Sequence, residues 1–211
     1  MSTRRLFIAS CAALMGLSVS ACNPAQPEDA TGVRTGGVRT SGEAAIGGPF
    51  TLVDHHGQTV SDSDFRGKAM LIYFGFTYCP DVCPMSLQLM GAALDQLPDD
   101  QAGEFQPILI SVDPERDTPD QLASYVSSPS FPDGLIGLTG SPEQVRQAAN
   151  AYRVYYSKAQ TDSSVAEYLI DHSSFIYLMD REGRFADIFP DNLAPAQIAE
   201  RLQHFLEDHP A

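Results

Sequence analysis

Basic residues are scarce in this chain. Its 211 residues hold 13 Lys and Arg against 27 Asp and Glu, a formal net charge of −14. So few cations, scattered along the chain, build no basic patch, which argues against nucleic acid as a partner. The acidity reads as a solubility feature, with attraction to a cationic partner as the other reading. Long apolar runs are also scarce. The N-terminal one, Leu6 to Val19, is short for a membrane span, which takes about 20 residues. No long-range repeat is visible, and the length suits one well-buried domain better than two. Cysteine is scarce too, with four in all: Cys11 and Cys22 near the N-terminus, and Cys79 and Cys83 together further on.

The start of the chain reads as an export signal. "MSTRRLFIASCAALMGLSVSAC" has a basic start at Arg4 and Arg5, an apolar middle, and small residues before Cys22. "VSAC" resembles the lipobox of bacterial lipoproteins. The expectation is a signal peptide over residues 1–21, with Cys22 as the lipid-attached first residue of the mature protein. An uncleaved signal anchor is the competing reading. "TRRLFI" resembles a twin-arginine signal, a less specific pattern. Both place the domain outside the cytoplasm. Losing Arg4 and Arg5 leaves 11 basic against 27 acidic residues and a net charge of −16. Cys11 leaves with the signal. The mature domain then keeps two cysteines, and an oxidising compartment tends to close such a pair unless something protects it.

Residues 22–48 are rich in Gly, Thr, Pro and Ala and read as a flexible tether. The folded domain is expected over 49–211. "FTLVDHHGQTV" reads as two strands about a turn at His56–Gly57. "AMLIYFGF" is apolar without alternation, as in a central strand buried on both faces. After Cys83, Leu87, Met90, Leu94 and Leu97 fall at helical spacing up to Pro98. "FQPILISVD" and "LIGLTG" are further strands. Thr118 with Gln121, and Ser141 with Gln144, predict capped helix starts, each with Pro at the first helical position. "KAQTDSSVAE" reads as a polar loop. "SFIYLMD" and "RFADIF" form a hairpin, and Pro195 opens a last helix with Ile198, Leu202, Phe205 and Leu206 on one face. The order is βαβ, an inserted helix, then ββα. That predicts an α/β thioredoxin-like fold, a mixed central sheet flanked by helices, with an N-terminal hairpin extension.

The pair Cys79 and Cys83 falls where the central strand runs into the first main helix. A helix N-terminus favours thiolate there. Three residues separate the cysteines, whereas thioredoxin-type oxidoreductases carry two. A redox disulfide, a structural bridge and a metal site all fit such a pair. A metal needs a third ligand. Of five histidines, His55, His56, His204 and His209 lie in polar surroundings and read as surface residues. His172 lies between two apolar stretches, at the start of the hairpin strand, in a loop that a thioredoxin-like sheet packs near the cysteines. It is either the third ligand or a buried structural histidine. Two thiolates and one imidazole suit copper better than zinc, which takes four protein ligands in structural sites.

"LIYFGFTYCPDVCP", "ISVDPERDTP", "GLTGSPEQV", "AYRVYY" and "YLIDHSSFIYLMDREG" together resemble the SCO/SenC family, named for synthesis of cytochrome c oxidase. The resemblance runs from about Pro49 to Leu206. It implies a thioredoxin-like domain tethered on the periplasmic face of the bacterial inner membrane. It implies one copper, Cu(I) or Cu(II), held by Cys79, Cys83 and His172. The expected role is a metallochaperone rather than an enzyme. Its expected partners are a periplasmic copper donor and the cytochrome c oxidase subunit carrying the CuA site, with membrane contact through the lipid anchor. Asp113 matches the family's acidic motif, with a structural or partner-facing role. The alternative is a thiol:disulfide oxidoreductase acting on the oxidase's cysteines or on another exported protein, through the same Cys79 and Cys83. A thiol peroxidase needs an Arg near its cysteine. None lies between Lys68 and Arg116, which leaves a distant Arg such as Arg153 or Arg184 to fold in.

Overall fold

The computed structural model describes residues 46–160 and 168–210. The expected signal segment 1–21, the lipid-attachment residue Cys22 and the tether up to residue 45 lie outside the described residues. Among the described residues, no helix is long and apolar enough to cross a membrane. Among the described residues, those ahead of Pro49 already contact the folded domain. Ile46 packs on the core, and the Gly47 N–H donates to the Ala151 carbonyl.

The apolar run at the centre of the sequence forms β3 (Ala69–Gly75), buried at every position. It pairs in parallel with β4 (Phe105–Ser111) and antiparallel with β8 (Phe175–Met179). Both faces of β3 are covered, so alternation would have left polar groups without water. Parallel β5 (Ile136–Thr139) follows β4. The hairpin of β1 (Thr51–Asp54) and β2 (Thr59–Ser61) docks antiparallel on β5, and β9 (Phe185–Pro190) closes the other edge. The sheet order is β2-β1-β5-β4-β3-β8-β9.

Helix α1 (Val82–Leu94) packs on β3, β8 and the last helix, α5 (Pro195–Asp208). A short α2 (Asp99–Ala102) lies beyond Pro98. Helix α3 (Pro119–Val126) covers β5, and α4 (Pro142–Ala151) covers β1. Ser141 and Gln144 form the expected capping box. Thr118 caps α3 through the Gln121 N–H, but the Gln121 side chain turns away to the Thr77 hydroxyl, 3.4 Å off. The mixed sheet with flanking helices and an N-terminal hairpin is the expected thioredoxin-like fold.

One element differs from expectation. The first residues of the expected polar loop 158–167 belong to β6 (Tyr156–Gln160), which pairs antiparallel with β7 (Tyr168–His172). This two-stranded ribbon is a sheet of its own. His172 is therefore the last residue of a separate strand and does not start the core hairpin. The ribbon escaped the sequence because, among its described side chains, Ile170 alone is buried, so no apolar alternation marks it.

Candidate metal centre

The strand β3 ends at Gly75, and the chain turns through Phe76, Thr77 and Tyr78 to Cys79. Asp81 is the first flanking residue of α1, and Cys83 lies in that helix's first turn. Parallel strands deliver this junction to the carboxyl edge of the sheet. The β7 ribbon brings His172 to the same edge. The ligand atoms of Cys79, Cys83 and His172 all lie within 4.8 Å of one another. Residues 89 positions apart thus converge, with His172 Nε2 3.2 Å from Cys83 Sγ.

The cysteines are free thiols, and both are buried, Cys83 fully and Cys79 with 8% exposure. The Cys83 N–H donates to Cys79 Sγ at 3.3 Å. A hydrogen bond from Cys83 pushes the Cys79 thiol down to about 4, aided by the backbone amides of Asp81 and Cys83. Burial and the neighbouring Cys79 charge push Cys83 well up. The pair holds one negative charge and one proton. The Cys83 thiol and the first amides of α1 point at Cys79, which draws the charge there.

The imidazole is held on three sides. Its Nδ1 lies 3.0 Å from the Ser173 carbonyl, an oxygen that only accepts. Nδ1 therefore carries the proton, and in the neutral ring the Nε2 lone pair faces Cys83. Tyr73 and Phe76 meet the ring edge-on, with centroids 6.0 and 5.9 Å away. The buried Tyr73 hydroxyl lies 3.3 Å from the Ser174 hydroxyl. Gly75 leaves room for this crowding. A Cβ there would stand 2.8 Å from the Tyr73 ring and 3.0 Å from Cys83 Sγ.

The loop before Cys79 is tied down by Asp117, which is fully buried. Its carboxylate accepts from the Thr77 N–H at 3.1 Å, the Thr77 hydroxyl at 2.6 Å and the Ser111 hydroxyl at 2.6 Å. Burial still raises its pKa, against the hydrogen bonds that lower it. Sequence reasoning missed Asp117. The only signal for it was an Asp directly before the Thr118 cap. Asp113, which was singled out, is buried in an ion pair with Arg116 and accepts from the Tyr168 hydroxyl. It thereby ties the β4–α3 loop to the start of β7. Arg116 itself folds over the ring of Tyr78, the residue before Cys79. Arg184 instead pairs with Asp180 and Glu182.

The other histidines stay away from the trio. His204 is exposed and faces Glu207. His209 stacks on Phe205. His55 is more than a surface residue: its Nδ1 accepts from the Gly137 N–H at 3.1 Å and its ring meets His56, so burial lowers its pKa.

The donor set fits a soft ion of low coordination number. Two sulfurs bonded to one ion at about 2.3 Å stand at most about 4.6 Å apart, so this cluster closes with a small movement. Among the described residues no further His, Cys, Asp or Glu joins it. A thioredoxin-like sheet with two thiols and an imidazole at its carboxyl edge defines a class of soft-metal or thiol-exchange proteins. The comparisons make the class specific. The sequence pattern of SCO1/SenC matches residues 38–207, and the chain belongs to that family. The Schizosaccharomyces pombe protein named Protein sco1 is 43% identical over 164 residues, covering 77% of this chain and 62% of its own length. The structure of Bradyrhizobium japonicum ScoI with copper bound is 44% identical. It covers 77% of this chain and all of that one, with a TM-score of 0.68. The Arabidopsis thaliana ScoI structure with copper bound is 41% identical, covers 78% of this chain and all of that one, and gives a TM-score of 0.73.

Proposed function

We propose that this protein carries copper as cargo, held by Cys79, Cys83 and His172, and delivers it to the CuA-bearing subunit of cytochrome c oxidase. The observation that carries the reading is the convergence of two thiols and an imidazole within 4.8 Å. Thiolate donors favour Cu(I), and the imidazole also accommodates Cu(II). Cys79 is already charged, and binding expels the proton that Cys83 holds. His172 offers its Nε2 lone pair with little rearrangement.

Delivery needs a surface on which another protein can settle. Among the described residues, the exposed large hydrophobics are Tyr78, Met85, Tyr155 and Phe175. All four stand next to the trio in the chain or in space. Tyr78 precedes Cys79, and Met85 follows Cys83 by two residues. The Tyr155 carbonyl accepts from the Ser173 N–H, and Phe175 lies three residues past His172. An apolar rim around a polar site suits a partner that docks and leaves. A copper donor would use the same rim. Export and attachment through a lipid on Cys22, on the periplasmic face of the inner membrane, complete the proposal.

Copper stoichiometry tests it. The reduced fragment beginning after Cys22 should hold one Cu(I) against a chromophoric chelator, and Cys79→Ser should lose it with the fold intact. Full retention in Cys79→Ser would reject the ligand set.

A second reading, thiol:disulfide exchange, is favoured by the Cys79 thiol lying far below the ordinary cysteine range beside a protonated Cys83. Such exchange needs no imidazole ligand. It should survive His172→Ala largely intact, whereas copper affinity should fall.

A further inference from the structure

We propose that Arg116 is a positioning residue for His172, a clasp that fastens the β6–β7 ribbon to the loop before Cys79 and so makes the three donors converge. The inference rests on the reading of the trio as a metal site. The ribbon needs a fastener. It makes no ladder to the seven-stranded sheet, and a lone two-stranded ribbon is marginal in water. Among its described side chains only Ile170 is buried. The exposed Lys158–Glu115 pair, 2.6 Å apart, adds little at a solvated surface.

Arg116 lies in the loop between β4 and α3 and touches both halves of the site. Its Nη1 donates to the Tyr168 carbonyl at 3.1 Å, at the first residue of β7. Its guanidinium carbon stands 3.7 Å from the Tyr168 ring centroid, stacked for a cation–π contact. The same carbon lies 4.8 Å from the Tyr78 ring and 5.9 Å from the Phe76 ring. Tyr78 precedes Cys79, and Phe76 presses edge-on against His172. The guanidinium cannot wander, because its Nε donates to buried Asp113 at 2.5 Å. Asp113 in turn accepts from the Tyr168 hydroxyl at 2.7 Å. Tyr168 and His172 share one face of β7, since side chains repeat every second residue. Holding Tyr168 therefore sets the height and tilt at which His172 arrives. A lysine could not hold two rings, a carboxylate and a carbonyl at once, because those contacts use the flat fork.

The test uses two variants of the soluble fragment, each alone and combined with His172→Ala. Arg116→Met removes the clasp but strands the buried Asp113, so it can fail to fold. Tyr168→Leu keeps the Arg116–Asp113 pair and removes the stacking platform together with the Tyr168 hydroxyl's bond to Asp113. Hydrogen exchange on the reduced, metal-free protein should show the β6–β7 amides opening about tenfold faster in Tyr168→Leu, with β3 and β4 unchanged. Cu(I) affinity should fall about tenfold, the scale of losing a group that orients a metal ligand. In the His172→Ala background the same substitution should change affinity by less than about twofold, because its effect runs through His172. Equal losses in both backgrounds, or unchanged ribbon exchange, would overturn the clasp. A parent fragment that holds no copper would defeat the metal reading alone, and the exchange result would then decide whether Arg116 fastens the ribbon.

Discussion

Replacing His172 by Ala removes one of three donors and little else. The ring makes one polar contact to the Ser173 carbonyl, one to Cys83 Sγ, and two edge contacts to Tyr73 and Phe76. It is half-buried, so truncation should cost about 1 kcal/mol of stability, or about 2–4 °C in Tm for a domain of this size. The effect on copper should be much larger. Groups that merely orient a ligand are worth about 10–100-fold in affinity. A ligand whose lone pair already faces the site should be worth at least the top of that range. About 100-fold corresponds to roughly 2.8 kcal/mol. Competition for Cu(I) against a chromophoric chelator, with far-UV circular dichroism on the same samples, measures both quantities. A folded His172→Ala protein within about threefold of the parent affinity would refute the reasoning. The cysteine pair would then act alone, and thiol exchange would become the better account.

Three further outcomes follow from the geometry. The reduced, metal-free protein should carry one thiolate down to about pH 4, read as ultraviolet thiolate absorbance. Since the folded Cys79 value lies below that of an unfolded cysteine, near 8.5, its contribution to stability should grow from about pH 4 to about 8.5 and vanish on acidification. The raised Cys83 value acts oppositely, so stability should decline again in more alkaline solution; absorbance that appears only above pH 8 would contradict this. Asp117→Ala strands the Thr77 N–H and the hydroxyls of Thr77 and Ser111, which should cost about 3 kcal/mol and lower Tm by about 6–12 °C. Asp117→Asn should be milder, since burial already disfavours the charge; equal Tm values for Asp117→Ala and the parent would dispose of the anchor. Gly75→Ala puts a methyl against the Tyr73 ring and Cys83 Sγ, and should weaken copper binding more than Gly103→Ala, whose Cβ would meet only the Asp99 and Asp100 carbonyls at 3.4 and 3.8 Å. Indistinguishable affinities would show that the site relaxes around the methyl.

Much of this protein is legible along the chain. Apolar runs without alternation mark β3 and most of β4 as central strands, because a strand buried on both faces leaves little room for polar side chains. Ser141 with Gln144 announces α4, because a cap is a contact between residues three apart. The Cys79–Cys83 spacing at a strand-to-helix junction places the thiols correctly for the same reason: the whole device is local. His172 was recognisable as a candidate through its apolar flanks, and the family motif singled it out. What the chain could not disclose are the contacts between distant segments. Strand β6 carries no alternation, so its pairing with β7 emerges only when the ribbon forms. Asp117 looks like a residue before a helix cap, and only the fold brings Thr77 and Ser111 to its carboxylate. Arg116 looks like one charge in a polar loop until Tyr78, Phe76, Tyr168 and Asp113 close around it. Local hydrogen bonds and burial patterns are written in neighbouring residues, whereas the partner of a buried charge is chosen by which loops the sheet delivers to the same edge.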